Sequence, residues 1–298
     1  MILIENFFSK VRFAGLFCLL RVKNLMISTR FTTYFSAFML GVGFPYASSA
    51  DERNYTSHIA LIGEYHDLHF VELMENGDSL NEEKGTLWFT GGGFQWQFAN
   101  GLFTEAIFKQ AEESLVYRGY TNLGQFVTTE TEYYISDLSF MLGRDFGPTG
   151  AFIGVNRNYR ERNVLGNGGV KGIYEELDVL NGVFGMRAAL FRHKPLHLRL
   201  EARIATALDS SLYFNDGDLD PINVEPGKQM TYRVSAELFY NPVSRLVLSL
   251  IPAYEYSKIE ESKQYEVFQN GRPTGLNSQL PATEWESYSL TGKVSWYF

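Results

Sequence analysis

Between Tyr288 and Phe298 every second residue is apolar or glycine: Tyr288, Leu290, Gly292, Val294, Trp296 and Phe298. The residues between them are Ser289, Thr291, Lys293, Ser295 and Tyr297, a mostly small or polar set. A period of two, held for eleven residues, belongs to a strand, whose successive side chains point to opposite faces. The same phase returns along the chain. Residues 245–258 set Leu246, Leu248, Leu250, Tyr254 and Tyr256 against Arg245, Ser249 and Glu255. Residues 228–241 set Tyr232, Val234, Leu238 and Tyr240 against Arg233, Ser235 and Glu237. Residues 195–209 set Leu196, Leu198, Leu200 and Ile204 against Arg199, Glu201 and Arg203, and 178–191 set Leu180, Phe184 and Met186 against Asn181 and Arg187. Weaker alternation marks 149–159, 128–142, 101–109, 86–98 and 57–73, which brings the expected number of strands to ten. Asn100-Gly101 between two of them is a strong hairpin signal.

One face of these strands is apolar and the other is charged. In a soluble sheet the apolar face would cover a core; in a barrel that crosses a membrane it would meet lipid while the polar face lines the lumen. The ending Trp296-Tyr297-Phe298 resembles the C-terminal strand of Gram-negative outer-membrane β-barrel proteins. That resemblance implies a place in the outer membrane among lipid and lipopolysaccharide. It also makes Phe298 and Trp296 part of the signal read by the barrel assembly machinery. The expected fold is an all-β, transmembrane, antiparallel up-and-down barrel of about ten strands; twelve is the alternative, should a long connection hide another hairpin.

The beginning of the chain is of a different kind. Residues 1–50 carry Lys10, Arg12, Arg21, Lys23 and Arg30 against the one acid Glu5. An apolar run from 31 to 46 leads into Ala47-Ser48-Ser49-Ala50, where Ser48 and Ala50 suit the small −3 and −1 positions of a signal-peptidase site. Residues 1–50 are therefore read as a signal peptide, with Met26 as a start that would give it ordinary length, and 51–298 as the barrel. The run is too short and interrupted for a spanning helix. Phe17 before Cys18 is too large for a lipoprotein cleavage box. Taking five bases and one acid from totals of 26 and 34 leaves 21 and 33, a net charge of −12. Nucleic-acid binding calls for the opposite sign. With Cys18 removed the mature chain has no thiol chemistry.

Connections alternate in length. Short ones are expected near 99–101, 143–148, 192–195 and 241–244, and long ones at 74–85, 110–127, 160–177, 210–227 and 258–283. Outer-membrane barrels have short periplasmic turns and longer outer loops, so both termini are expected on the periplasmic side.

A barrel of about ten strands is narrow enough for side chains to fill. The expected lumen charges are Arg187, Arg199, Glu201, Arg203, Arg233, Glu237, Arg245 and Glu255. Buried charges must pair, which favours a filled lumen and a structural or surface-interaction role over a small channel with a charged lining. Size and the layout of the last strands are similar to those of omptin-type surface proteases. That family's paired Asp residues and His–Asp pair are not matched here: the loops 156–177 and 210–227 contain no His. The five histidines are His58, His66, His69, His193 and His197. No His-x-Ser stands in the chain to suggest a lipid-modifying barrel. An enzyme with an atypical site stays as the rival reading.

Two clusters remain. Glu64 and His66 share a strand face and form a candidate polar pair, whereas His66 and His69 point oppositely and cannot share one metal without a bulge. Asp216, Asp218 and Asp220 alternate as at the start of a calcium loop, but Pro221 stands where glycine is needed. A solvated acidic loop with at most weak cation binding is expected there. No metal or cofactor and no particular surface partner is implied.

Overall fold

In the computed structural model, which describes residues 57–298 apart from 75–76, 99, 121–125, 169, 194–195 and 218, ten long strands close into one antiparallel barrel. The expected signal peptide, Met26, Cys18 and the start at Asp51 lie outside the described residues, as does Asp218. The barrel strands are β1 (His58–Leu73), β2 (Ser79–Gln97), β3 (Leu102–Tyr120), β4 (Phe126–Phe146), β5 (Thr149–Val164), β6 (Ile173–His193), β7 (Leu196–Asn215), β9 (Gln229–Val243), β10 (Leu246–Ile259) and β13 (Ala282–Tyr297). Each pairs with its neighbour in the chain, and β1 with β13 closes the ring over a continuous register from His58↔Tyr297 to Leu73↔Ala282. Closure leaves no unpaired edge in the barrel wall.

The hidden hairpin behind the twelve-strand alternative exists but stays out of the wall. β11 (Tyr265–Gln269) and β12 (Arg272–Ser278) pair only with each other. Asn270 and Gly271, with φ of 53° and 72°, make the left-handed two-residue turn that an Asn-Gly pair favours. A third short strand, β8 (Ile222–Val224), lies against the end of β7.

Barrel strands run from 14 to 21 residues, against roughly 9–11 for a tilted strand crossing a bilayer. The excess lies at the end away from the chain termini. Most of the expected long connections are therefore strand: 79–85, 110–120 and 173–177 belong to β2, β3 and β6. Only the segments between β7 and β9 and between β10 and β13 are long. The short turns at 147–148 and 244–245, by contrast, fall where the sequence places them. Between β2 and β3, Gly101 takes a φ of 82°, and its amide donates to the Phe98 carbonyl.

Facing follows parity. Leu200, Ile204 and Leu208 on β7, Leu138, Phe140 and Leu142 on β4 and Phe184 and Met186 on β6 expose large apolar side chains outward. This belt ends in aromatic pairs: Tyr65 with Trp88, Tyr134 with Tyr159, Tyr174 with Tyr213, and Tyr254 with Tyr288, at centroid separations of 5.0 to 6.3 Å. Aromatic girdles at the edge of an apolar band mark the level where a barrel leaves hydrocarbon. At the terminus, the Phe298 amide donates to the Ser57 carbonyl and the ring packs on Phe94 and Trp96. Trp296 faces outward with nearly half of its surface exposed.

Candidate functional site

Inward side chains divide the lumen into storeys. Nearest the short turns, Phe103, Met141, Phe152 and Val183 form a buried apolar cluster. The two rings lie over glycines: a Cβ on Gly143 would stand 2.3 Å from Phe103 Cζ, and one on Gly185 2.1 Å from Phe152 Cζ. Arg187 stacks 3.7 Å from the Phe103 ring centroid and makes two hydrogen bonds of 2.8 Å to Asp145. Arg187 thus belongs to this layer and pairs with Asp145, an acid that the sequence reading did not pick out.

Above this layer is a chamber of about 260 Å³. Its charges come from β1, β3, β4, β5, β7, β9, β10 and β13, and they pair within a strand, between neighbouring strands and across the bore. Glu64 accepts from His66 at 2.5 Å, from Lys109 at 2.9 Å and from Arg233 at 3.5 Å. Arg233 also donates to Glu255 at 3.2 Å. Arg199 and Lys293 both meet Glu237 at 2.5 Å, and Arg203 meets Glu201 at 2.5 Å. Arg199, Glu201, Arg203, Arg233, Glu237 and Glu255 all line this chamber. Arg245 does not: it sits in the exposed turn between β9 and β10, one residue before the ladder restarts, so parity does not carry it inward. Glu64 and His66 do share the inward face and touch, but Glu64 is already held by two further cations. Such a carboxylate is a hub of an ion network, with little basicity left for general-base work. His69 faces outward and meets Glu82 at 2.8 Å.

A second layer, made of β1, β2, β3, β4, β5 and β13 side chains, lies above the chamber. Leu68, Phe70, Leu87, Leu115 and Tyr133 are each at most 2 % exposed. Phe70 and Trp285 meet edge to face at 6.0 Å, and the Arg160 guanidinium lies 5.5 and 5.2 Å from their centroids. Arginine against two ring faces is a stable way of placing a cation in an apolar wall. The cavities on its two sides share Phe70, Arg160, Leu177, Ile259 and Thr283 as common wall residues.

Outside this septum a vestibule of about 960 Å³ opens among the upper strand ends, β8 and the β11–β12 hairpin. Its floor is built on Arg162. The Nη1 atom donates to Glu72 at 3.0 Å and to Glu175 at 2.9 Å, while Nε and Nη2 donate to Glu83 at 2.8 and 2.5 Å. Glu83, with no exposed surface, also accepts from Thr131 and Tyr133. Asn81 donates to the second oxygen of Glu72. None of these residues was singled out from the sequence. The signal was available for Glu72, which lies in the expected strand 57–73 and shares parity with Glu64 and His66; Arg160 and Arg162 share parity with Phe152, but 160–177 read as a connection.

The acidic loop is structural in what it does. Asp220 accepts from the amides of Asn270 and Gly271, which pins the β11–β12 turn, and Asp216 accepts from the Leu219 amide. Among the described residues no group of three His, Cys, Asp or Glu side chains is placed to hold a metal ion.

No family model matches the chain, and no curated protein matches it. Among solved structures it is similar to the outer membrane protease OmpT from Escherichia coli, at 12% identity over 81% of this chain and 96% of that one, with a TM-score of 0.49. It is also similar to the translocator domain of the autotransporter NalP from Neisseria meningitidis, at 9% identity over 90% and 98%, TM-score 0.44. A third is the β domain of the Bordetella autotransporter BrkA, at 6% identity over 81% and 100%, TM-score 0.42. The assignment of this chain as a membrane-type β-barrel rests on its own strand pairing and on the outward apolar belt.

Proposed function

We propose that the chain is an outer-membrane protein with a closed lumen, whose outward vestibule engages a partner at the cell surface. In this reading residues 1–50 are removed on export, the termini and short turns face the periplasm, and the overshooting strands face outward. The observation that supports it most is the septum of Phe70, Arg160 and Trp285, set between two cavities and backed by a second aromatic layer over Gly143 and Gly185. A conduit would need a continuous wet path, whereas both layers set aromatic rings across the lumen, with Arg160 and Arg187 stacked on them.

The charged chamber between the layers supports the same reading. Its carboxylates and cations pair with one another, as buried charges must when they serve structure. The rival reading as a surface enzyme gets less support. Among the described residues no histidine lines the vestibule, and the acids on its floor are held by Arg162, Thr131, Tyr133 and Asn81. Purified protein reconstituted in a planar bilayer tests the proposal: the expected trace is silent across a range of voltages. Steady ohmic steps from the wild-type protein would replace it with the small-channel reading.

A further inference from the structure

We propose that the vestibule is a binding site for a small organic amine with an apolar body, whose ammonium group seats against Glu72 and Glu175. The proposal rests on the closed-lumen reading, and it names the chemistry of the ligand. Two observations carry it: the charge balance of the cavity and the geometry of its floor.

The lower chamber is lined by six acids and six Lys or Arg side chains. Arg160 is one of those six and lines the vestibule as well, so the chamber is balanced only with that shared guanidinium. The vestibule is lined by five acids, namely Glu72, Glu175, Asp216, Asp220 and Glu260, against Arg160, Arg162 and Lys171. Glu83 lies directly beneath and adds a sixth acid on the same Arg162. Of the three cations, Arg160 is spread over two aromatic rings and Lys171 donates to the Gly217 carbonyl. With Glu83, six acids thus face three cations, an excess of three negative charges, and one of those cations, Arg160, also lines the lower chamber. In a low-dielectric recess such an imbalance attracts a cation far more strongly than it would in water.

Geometry selects the kind of cation. Arg162 occupies the point where Glu72, Glu83 and Glu175 converge, so a bare divalent ion has no place among them. Glu72 and Glu175 keep 11% and 13% of their side-chain surface, on the cavity side, where an ammonium presented from above reaches them. The walls above are apolar and aromatic, with Val164, Leu212 and Val267 buried and Tyr117 only 6% exposed. A volume of about 960 Å³ falls in the range of small-molecule sites, which bury a ligand's apolar body and fix it through a few polar groups. An inorganic cation would leave those walls unused, and an anion would meet the wrong charge.

Tryptamine is a suitable probe, with indole-3-propionate as its anionic counterpart of similar size, titrated calorimetrically into the full barrel in zwitterionic lipid nanodiscs. Tryptamine is expected to bind with a one-to-one stoichiometry and the acid at least about tenfold more weakly, a factor equal to about 1.4 kcal/mol. Glu175→Gln keeps a hydrogen-bond acceptor for Arg162 and should weaken tryptamine several-fold. Ile222→Trp, which fills the cavity from β8 without changing charge, should weaken it as well. Glu255→Gln in the lower chamber should leave it unchanged. Equal binding of amine and acid, no effect of either vestibule variant, or a loss with Glu255→Gln would overturn the proposal. Bilayer conductance is read separately: a silent barrel that ignores tryptamine sinks only the ligand class, and a conducting one sinks the reading beneath it.

Discussion

Single residues in this barrel are governed by which way they face. Leu200 is outward and 41% exposed in the middle of the belt on β7. Arg203, three positions on, points into the lower chamber and meets Glu201. Leu200→Arg puts a charge into hydrocarbon and should cost about 2–4 kcal/mol. Arg203→Leu leaves the Glu201 carboxylate without its nearest cation. The loss should be about 3 kcal/mol, the lower end of the cost of breaking a buried pair, because Arg203 keeps 27% of its side-chain surface. Reversible urea unfolding in lipid vesicles measures both; a loss below about 1 kcal/mol for Arg203→Leu would mean that water screens the orphaned acid. Parity made these two positions legible from sequence. It failed at Arg245, because a turn residue belongs to neither face, and it could not tell which lumen acid each arginine would choose. Asp145, Lys109 and Lys293 became partners only through the barrel's curvature, which brings distant strands together.

At the scale of elements, the turns and membrane-crossing halves of the strands were readable, and the outer halves were not. Inside the bilayer one face must be apolar, so alternation is enforced. Beyond the aromatic girdle the outward face meets water and carries Glu132, Asn163 and Glu284 as readily as an apolar group, and the pattern dissolves. Strands such as β3 and β6 therefore looked ten residues shorter or began later than they do. The β11–β12 hairpin was left as an open alternative for another reason: its Asn-Gly turn is plain, but the strands are short and the Arg272–Ser278 side is mostly polar. Its position depends on Asp220, which binds two turn amides. Asp220→Ala should free the hairpin from the vestibule rim. Limited proteolysis should then cut within 265–278 faster than in wild type while the barrel stays resistant; equal cutting rates would deny Asp220 that role.

For the whole molecule, closure depends on the last strand meeting the first. β13 pairs with β1 along its full length and is locked at the bottom by Phe298 on Ser57, Phe94 and Trp96. If this strand is also the one the assembly machinery reads, deleting Phe298 should lower the amount of heat-modifiable protein in the outer membrane several-fold. The protein that does arrive should begin at Asp51. Normal levels of the deletion variant, or recovery of the chain as soluble periplasmic protein, would count against both the terminal signal and the location. The closed barrel and its facing were thus foreseeable from the end of the chain, whereas the division of its interior into storeys was not, since it depends on rings such as Phe103, Phe152 and Trp285 crossing the bore.

The overshoot of the strands has a mechanical side. β4 is joined to β5 through sixteen residue pairs and to β3 through nineteen, and both ladders continue without a break from the turns to the rim. A load placed on whatever is gripped at the rim runs along the strand axes. It strains many ladder hydrogen bonds side by side, as shear, instead of opening them one after another like a zipper. A tube of this build holds its mouth well clear of the bilayer and still acts as a stiff anchor, so tension at the surface reaches the membrane with little stretch in between.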